Sequence, residues 1–400
     1  MKTIQKVSVV GAGIMGAGIA NSIFKYGFEV KLFDLDKDIL EKAVSDIKSK
    51  ARRKMNPDKI TMAASLEEAV KDADLIIEAI IEDLDIKCKF FKELSAIAPA
   101  DTVFASNTSS LSISTMAKAS GRPDRFIGLH FFNPATIMRL VEIVVPPGFS
   151  PGVYAAVKEF IDNIKKTGVK CIESPGFIAN RILIPLVNEA FYVLDEKIKA
   201  SNAAALDLAN DIDSAFLKEG ILLMGPYDLV DITGIDTVYK VAQVIYEGFN
   251  RSPRYVPAPL LKSYVDKGFL GRKNKHGVYY YENQANDPDL NPCLNEKGEK
   301  IQRLENPAFA TIELVALIVN EAFRVLEEGI VDDFNDIELC MELGARWLKG
   351  PFVLAKNTGV EVIHAQLKRK YADSGNNPRY EPSGLFTELP EQLKSYFAEV

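Results

Sequence analysis

Cysteine is scarce and scattered in this chain. The four cysteines among 400 residues, Cys88, Cys171, Cys293 and Cys340, form no CxxC pair and no Cys/His metal spacing. That excludes a disulfide scaffold and a structural zinc site, and free thiols in a reducing compartment are expected. Long apolar runs are also missing. No stretch approaches the ~20 residues that a membrane span requires, and "VSVV" near the N-terminus is too short for a signal-peptide core. A cytoplasmic protein is expected. Nor is there an excess of positive charge. The 48 Lys and Arg are outnumbered by 55 Asp and Glu, for a net charge of −7, which argues against a general nucleic-acid binder. What remains is an ordinary globular composition, 47% hydrophobic and 26% charged, long enough for two or three domains with a sizeable core.

The first element with chemical content is "KVSVVGAGIMGAGIANSIFKYGFEVKLFDLD". It reads as strand, glycine turn, helix and strand. The helix is expected to run to about Tyr26 with Gly27 as its C-cap. Gly11, Gly13 and Gly16 form GxGxxG directly after a β-branched run and at the start of a helix, and Asp34 ends the next strand. Gly11 allows the tight turn, Gly13 admits a pyrophosphate, and Gly16 lets helix and sheet pack closely. The N–H groups and partial positive charge of the helix start suit phosphates. Asp34 would accept hydrogen bonds from an adenosine ribose and repel a 2′-phosphate, which favours NAD. The alternative is a glycine-rich turn with no ligand.

Further strands are expected in "DLIIEAI", "TVFASN", "RFIGLHFF" and "RLVEIVV", with a helix over about Leu84–Ile97. This alternation implies an N-terminal α/β domain, a mostly parallel, doubly wound sheet of Rossmann type. A helix with a dense basic end, Lys48, Lys50, Arg52, Arg53 and Lys54, is either a solvated face or a local attractor for a polyanion.

Beyond Ser174 the pattern turns helical, with Pro185 an expected kink. An internal repeat follows. "LVNEAFYVLDEKI" is echoed by "IVNEAFRVLEEGI" 132 residues on, and "GPYDLVDITGID" by "GPFVLAKNTGVE" 125 residues on. Two repeated all-α domains are therefore expected. The organisation is a nucleotide domain over 1–175, a first helical domain over 176–285, a polar linker over 286–304, a degenerate second copy over 305–370 and a surface tail over 371–400. The second copy carries Ile312 and Glu313 where the first has Asn180 and Arg181. It reads as a structural duplicate covering the first, an internal pseudo-dimer that replaces contacts between subunits.

His130 is the only histidine between Ser106 and Pro134. It is either a core histidine or a proton carrier. Glu142 lies in the next strand, also inside an apolar run, where a lone acid is costly unless paired. Each resolves the other's burial, and a carboxylate on one ring nitrogen prepares the other to take a proton.

The motifs "VVGAGIMGAGIA", "EAIIEDLDIK", "ASNTSSLSI", "GLHFFNP", "VEIV", "PGFIANRI", "GPYDLVDITGID" and "GRKNKHGVYYY" together resemble the 3-hydroxyacyl-CoA dehydrogenase family over residues 1 to about 285. The repeat resembles a second copy of the family's C-terminal domain. The resemblance implies oxidation of an (S)-3-hydroxyacyl-CoA to the 3-oxoacyl-CoA with hydride passing to NAD, in fatty-acid metabolism and β-oxidation. It implies His130 as general base and Glu142 as its carboxylate partner, with Ser109 and Asn180 as polar companions on the substrate. Gly11, Gly13, Ile14, Met15, Gly16, Asp34, Glu82, Lys87, Asn107, Ser109, Asn133 and Lys273 would line the cofactor. Lys48, Lys50, Arg52, Arg53 and Lys54 look like a contact region for the phosphates of CoA. No hydratase module is present.

Simpler readings stand beside these. Ser109 would serve as a helix N-cap, Asn180 as a cap or bridge at the entry to the second domain, and Lys87 and Lys273 as surface charges. Two other functions also stay open: a dehydrogenase of free hydroxy or sugar acids, and a nucleotide-binding structural protein with a decayed site. The expected partner is an acyl-CoA thioester, and the expected state a monomer or a homodimer.

Overall fold

The computed structural model describes residues 3–51, 55–201, 203–284 and 292–398. The chain forms two compact units, Met1–Phe177 and Ile178–Val400. Among the described residues, no helix is long and apolar enough to cross a membrane.

The first unit is built on β1 (Lys6–Val10), α1 (Ile14–Phe24), β2 (Glu29–Phe33), α2 (Lys37–Ser49), β3 (Ile60–Met62), α3 (Leu66–Val70), β4 (Leu75–Glu78), α4 (Leu84–Ile97), β5 (Val103–Ser106), α5 (Ile113–Ser120), β6 (Phe126–Phe131), β7 (Leu140–Val145), α6 (Pro151–Asn163) and β8 (Thr167–Ile172). The strands form one sheet in the order β3-β2-β1-β4-β5-β6-β7-β8. Neighbours from β3 through β6 run parallel, β7 pairs antiparallel with β6, and β8 runs parallel to β7. The central strands read as continuous apolar runs because both faces are covered. Val9, Leu32, Leu75, Ile77, Leu129 and Ile143 are buried, each contributing about 1.5–3 kcal/mol by leaving water. The edge strands β3 and β8 escape a search for such runs. β8 alternates buried and exposed positions, as a half-covered strand must. Helix α1 stops at Phe24, two residues short of the expected end. Gly27, at φ +85°, closes the turn by donating its N–H to the Phe24 carbonyl.

The second unit holds α7 (Ala179–Ala200), α8 (Ala205–Lys218), α9 (Pro226–Thr233), α10 (Ile235–Gly248), α11 (Pro259–Asp266), α12 (Ile312–Glu327), α13 (Phe334–Leu343), α14 (Pro351–Thr358), α15 (Val360–Asp373) and α16 (Glu391–Ala398). Helix α7 runs unbroken past Pro185, so no helix ends at that residue.

Its contacts come in reciprocal sets. Tyr255 donates its hydroxyl to Glu321 on α12 at 2.6 Å, and Tyr380 donates to Glu189 on α7 at 2.7 Å. Asn188 takes the Ala258 N–H and gives its amide to the Val256 carbonyl. Asn320 does the same with Ser383 and Glu381. Leu222 and Trp347 bridge antiparallel between the two sets. Arg181, fully buried, adds bonds to Glu321 at 3.0 Å and to both oxygens of Glu328 at 2.7 Å, under the ring of Phe249. Burial alone would raise the Glu321 carboxyl, but Arg181 and Arg254 outweigh it and hold it below its usual value.

Two expectations need correction. The expected surface tail over 371–400 is packed as far as it is described, over 371–398, because Tyr380, Ser383, Phe386 and Leu393 are buried. Phe386 stacks on Phe323 at 4.6 Å, and Glu327 accepts the Ser383 hydroxyl and the Gly384 N–H. These apolar side chains come singly among prolines and polar residues, so no periodicity announced them. Nor is the expected linker a loose connection over 292–304. Leu294 bridges Tyr280 and Lys300, and Arg303 pairs with Asp228 at 2.5 Å and Asn210 at 2.7 Å.

Removing Arg181 takes a cation from the buried Glu321, and losing one partner of such a buried pair costs about 3–5 kcal/mol. Arg181→Ala should lower unfolding stability in urea by that order. A change below about 1 kcal/mol would mean the cluster carries little. Burial also pushes the carboxyls of Asp231 and Glu338 up to about 7. A carboxyl raised in the folded state binds more protons there than in the unfolded chain, so stability falls as pH climbs from about 4 to about 7. Denaturation of the wild type at pH 5.5 and pH 8 should show this fall, and Glu338→Gln should reduce it.

Candidate active site

The carboxyl ends of β1, β2, β4, β5 and β6 carry most of the residues singled out above, on the side of an open α/β sheet where ligands bind. Gly11 has φ +102°, and a Cβ there would strike the Ala79 backbone. A Cβ on Gly16 would strike the Gly11 carbonyl, while one on Gly13 would meet nothing within 4 Å. The turn is thus closed on two sides and open on the third, at an α1 start that no side chain caps. Ile14 is exposed beside it and Met15 half-buried. Asp34, at the end of β2, accepts the Ala12 N–H at 2.6 Å and the Asp36 N–H at 2.9 Å. It therefore steadies the turn as well as facing outward from β2. These residues fit a dinucleotide: a cradle too tight for side chains, free N–H groups and a carboxylate one strand away.

A second cluster joins β4, α4 and β5. Glu78, wholly buried, accepts from Lys87 at 2.5 Å, from the Ser106 hydroxyl at 2.6 Å and from the Ile80 N–H at 2.8 Å. Burial raises its carboxyl against the pull of Lys87. Lys87 also pairs with Glu82 at 3.1 Å, and Glu82 accepts the Thr108 hydroxyl at 2.5 Å and the Ser109 N–H at 3.2 Å. Lys87 is only 1% exposed, so it is no surface charge. It fixes Glu82, which fixes the loop carrying Thr108 and Ser109. Asn107 is held on both sides, its N–H on the Glu78 carbonyl and its side-chain oxygen on the Phe131 N–H, both at 2.9 Å. The N-cap alternative for Ser109 is removed, because Ser112 caps α5.

His130 and Glu142 are directly opposed in the antiparallel register of β6 and β7. Directly opposed residues share one face of a sheet. His130 Nδ1 lies 2.5 Å from Glu142 Oε2, with His130 5% exposed and Glu142 fully buried. Phe132 and Phe177 flank the imidazole at 4.4 Å and 5.9 Å. With Nδ1 committed to the carboxylate, Nε2 is the nitrogen that can accept a proton. Asn133 is exposed in the turn between the two strands.

The structure thus gathers Gly11, Gly13, Ile14, Met15, Gly16, Asp34, Glu82, Lys87, Asn107, Ser109, His130, Asn133 and Glu142 in one unit. Asn180, half-buried in the first turn of α7, and Lys273, paired with Asp236 and partly exposed, belong to the helical unit. Lys48 and Lys50 are exposed at the end of α2, and Lys50 lines a cleft of about 180 Å³ with Asn21, Ser22, Lys25, Met55 and Thr136. Arg52, Arg53 and Lys54 lie outside the described residues. Sequence reasoning missed Glu78, Ser106, Thr108 and Lys25. Glu78 carried the same signal as Glu142, an acid inside an apolar strand.

Known proteins with similar sequence and structure identify the family. The family model "3-hydroxyacyl-CoA dehydrogenase, NAD binding domain" matches residues 6–174, and "3-hydroxyacyl-CoA dehydrogenase, C-terminal domain" matches 176–281 and 309–395. A 3-hydroxybutyryl-CoA dehydrogenase of Bradyrhizobium diazoefficiens is 38% identical over 289 residues, covering 70% of this chain and 96% of the relative. The mitochondrial hydroxyacyl-coenzyme A dehydrogenase of Sus scrofa is 36% identical over 296 residues, 70% of this chain and 92% of its own. Among solved structures, a 3-hydroxybutyryl-CoA dehydrogenase of Escherichia coli K12 is 26% identical, covers 99% of this chain and 100% of its own, and superposes with a TM-score of 0.84. By these matches the chain belongs to the 3-hydroxyacyl-CoA dehydrogenase family and is an NAD-dependent oxidoreductase.

Proposed function

We propose that His130 and Glu142 form the proton-handling pair for oxidation of an (S)-3-hydroxyacyl-CoA to the 3-oxoacyl-CoA. The Gly11–Gly16 turn and Asp34 would hold NAD, which would serve as the hydride acceptor. The 3-hydroxyl proton passes to His130 Nε2 as C3 loses its hydride. Glu142 keeps the other ring nitrogen protonated and offsets the charge of the imidazolium that results. Ser109, placed by Glu82, orients the substrate oxygen. The observation that carries this reading is the His130–Glu142 bond, since a buried acid opposite a buried imidazole has the geometry of a general base and its orienting partner. The cleft bearing Lys25 and Lys50 suits phosphate groups and favours a CoA ester over a free hydroxy acid. With Lys48, it is the proposed contact region for the CoA phosphates.

We also infer that residues 176–281 and 309–395 are two copies of one helical domain that pair within the chain. The reciprocal Tyr255–Glu321 and Tyr380–Glu189 contacts support this, as do the two matches to one family domain. Arg181 bonds across the pair. Faces that a shorter relative presents to a second subunit are then covered internally. Of the two expected states, monomer or homodimer, this pairing favours the monomer, in the cytoplasm.

His130→Ala should lower turnover with acetoacetyl-CoA and NADH by roughly 10² to 10⁴, with NADH affinity by fluorescence titration unchanged. Glu142→Gln should keep NADH affinity and also slow turnover. Near-normal turnover in the first variant would reject the pair. Equal rates with free 3-oxo acids would reject the CoA assignment. Light scattering should return the mass of one chain, and an obligate dimer would overturn the internal pairing.

A further inference from the structure

Lys166 stands just before β8, at 9% exposure, and its ammonium donates to two backbone carbonyls, those of Ala135 and Met138. Both belong to the turn that joins β6 to β7, the hairpin whose strands carry His130 and Glu142. Among the described residues, no carboxylate pairs with this ammonium. The charged group that bears on it is Lys25, which follows the last residue of α1, and burial together with Lys25 pushes its pKa down to about 8. The fold thus keeps a buried cation where a neutral side chain would be less costly, so its value lies in the two carbonyls it holds.

The same Ala135 carbonyl also accepts the hydroxyl of Ser22 at 2.8 Å. Ser22 lies on α1, the helix whose first residues follow the glycine turn. Gly18, one turn earlier, leaves so little room that a Cβ there would sit 3.3 Å from the Ala135 Cβ. The neighbouring Thr136 lines the cleft with Ser22, Lys25 and Lys50. One carbonyl therefore ties the hairpin turn to the nucleotide-turn helix on one side and to β8 on the other. The Thr167 N–H adds a bond to Arg139 at the end of the turn, at 2.8 Å.

We propose that Lys166 is a positioning residue for this reaction: by holding the Ala135 and Met138 carbonyls it sets the hairpin turn, and with it the His130–Glu142 pair, against α1. The proposal rests on the reading of His130 and Glu142 as the proton-handling pair. Lys166 itself touches neither. Its loss shifts the turn that joins the two strands and leaves the core strands packed, so it acts on turnover more than on global stability. A misplacement of the proton acceptor by about 1 Å costs on the order of 10² in rate.

The test compares the wild type with Lys166→Met, Lys166→Arg and Ser22→Ala, using acetoacetyl-CoA and NADH, thermal melting and hydrogen exchange of the peptide spanning residues 132–139. Lys166→Met should lower kcat ten- to a hundredfold, change the KM for NADH less than threefold and speed exchange in that peptide, with melting within a few degrees of the wild type. Lys166→Arg, which keeps a cationic donor, should recover kcat to within about fivefold. Ser22→Ala should give a smaller loss of the same kind. A folded Lys166→Met with kcat within twofold of the wild type, or exchange unchanged over 132–139, overturns the proposal. If Lys166→Met does not fold, a Ser22→Ala with neither faster exchange nor slower turnover overturns it. His130→Ala is run in parallel. Full turnover in that variant rejects the proton pair, whereas the exchange data in the Lys166 variants judge the hold on the turn separately.

Discussion

A carboxylate with no exposure in the middle of a sheet persists only if something pays its desolvation cost, and Glu142 persists because His130 faces it at 2.5 Å. That opposition depends on one break in the sheet's regularity. Parallel neighbours need a long crossover between them, and only an antiparallel pair joined by a short turn brings residues so close in sequence directly opposite each other. The β6–β7 hairpin is that pair. It is where the otherwise parallel sheet reverses, and the reversal puts His130 opposite Glu142.

The same constraint organises the rest of the molecule. Glu78 is buried at the end of β4 and tolerated because Lys87 and Ser106 meet it. Lys87 then reaches Glu82, and Glu82 shapes the loop with Ser109. In the helical unit, Glu189 and Glu321 are buried on α7 and α12, and each is met by a tyrosine and an arginine from the other half of that unit. Buried acids are costly to strand, so each specifies which segment must sit against it. They act as register marks between elements whose apolar faces alone would tolerate several packings.

Much of this was legible in the residues. The glycine turn, the strands with both faces covered and the α4 boundaries follow from local pattern, and the repeat follows from self-comparison. Glu142 stood out as an acid inside an apolar run, and the same logic applied to "DLIIEAI" finds Glu78. Lys87 was legible too. It sits four and seven residues before Phe91 and Leu94, on the one buried stripe of α4, while Lys89 and Lys92 point elsewhere. Strands β3 and β8 were not, because an edge strand shows neither a continuous run nor enough length to reveal its alternation. The packed C-terminal segment was not, because Tyr380 and Phe386 sit in short capped turns and Leu393 is the one buried residue of the short helix α16, so no periodic face appears. Lys166 was the least legible. In "IKKTG" either lysine could turn inward, and only the position of the hairpin turn decides which.

The placement of Ser22 shows how little freedom the site retains. It lies eight residues beyond Ile14 on α1, about 12 Å along the axis at ~1.5 Å per residue. The helix that offers its start to phosphates therefore carries, two turns on, the hydroxyl that grips the Ala135 carbonyl. A helix transmits position along its axis with little compliance, because each turn is hydrogen-bonded to the next. The hairpin turn is short and held at both ends by strands. The glycine turn and His130 are thus linked through one helix, one carbonyl and one turn, all within a single compact unit. A misplacement of about 1 Å between reacting atoms costs on the order of 10² in rate, so the one loop in this linkage, the hairpin turn, is the part whose anchoring to α1 and Lys166 matters most.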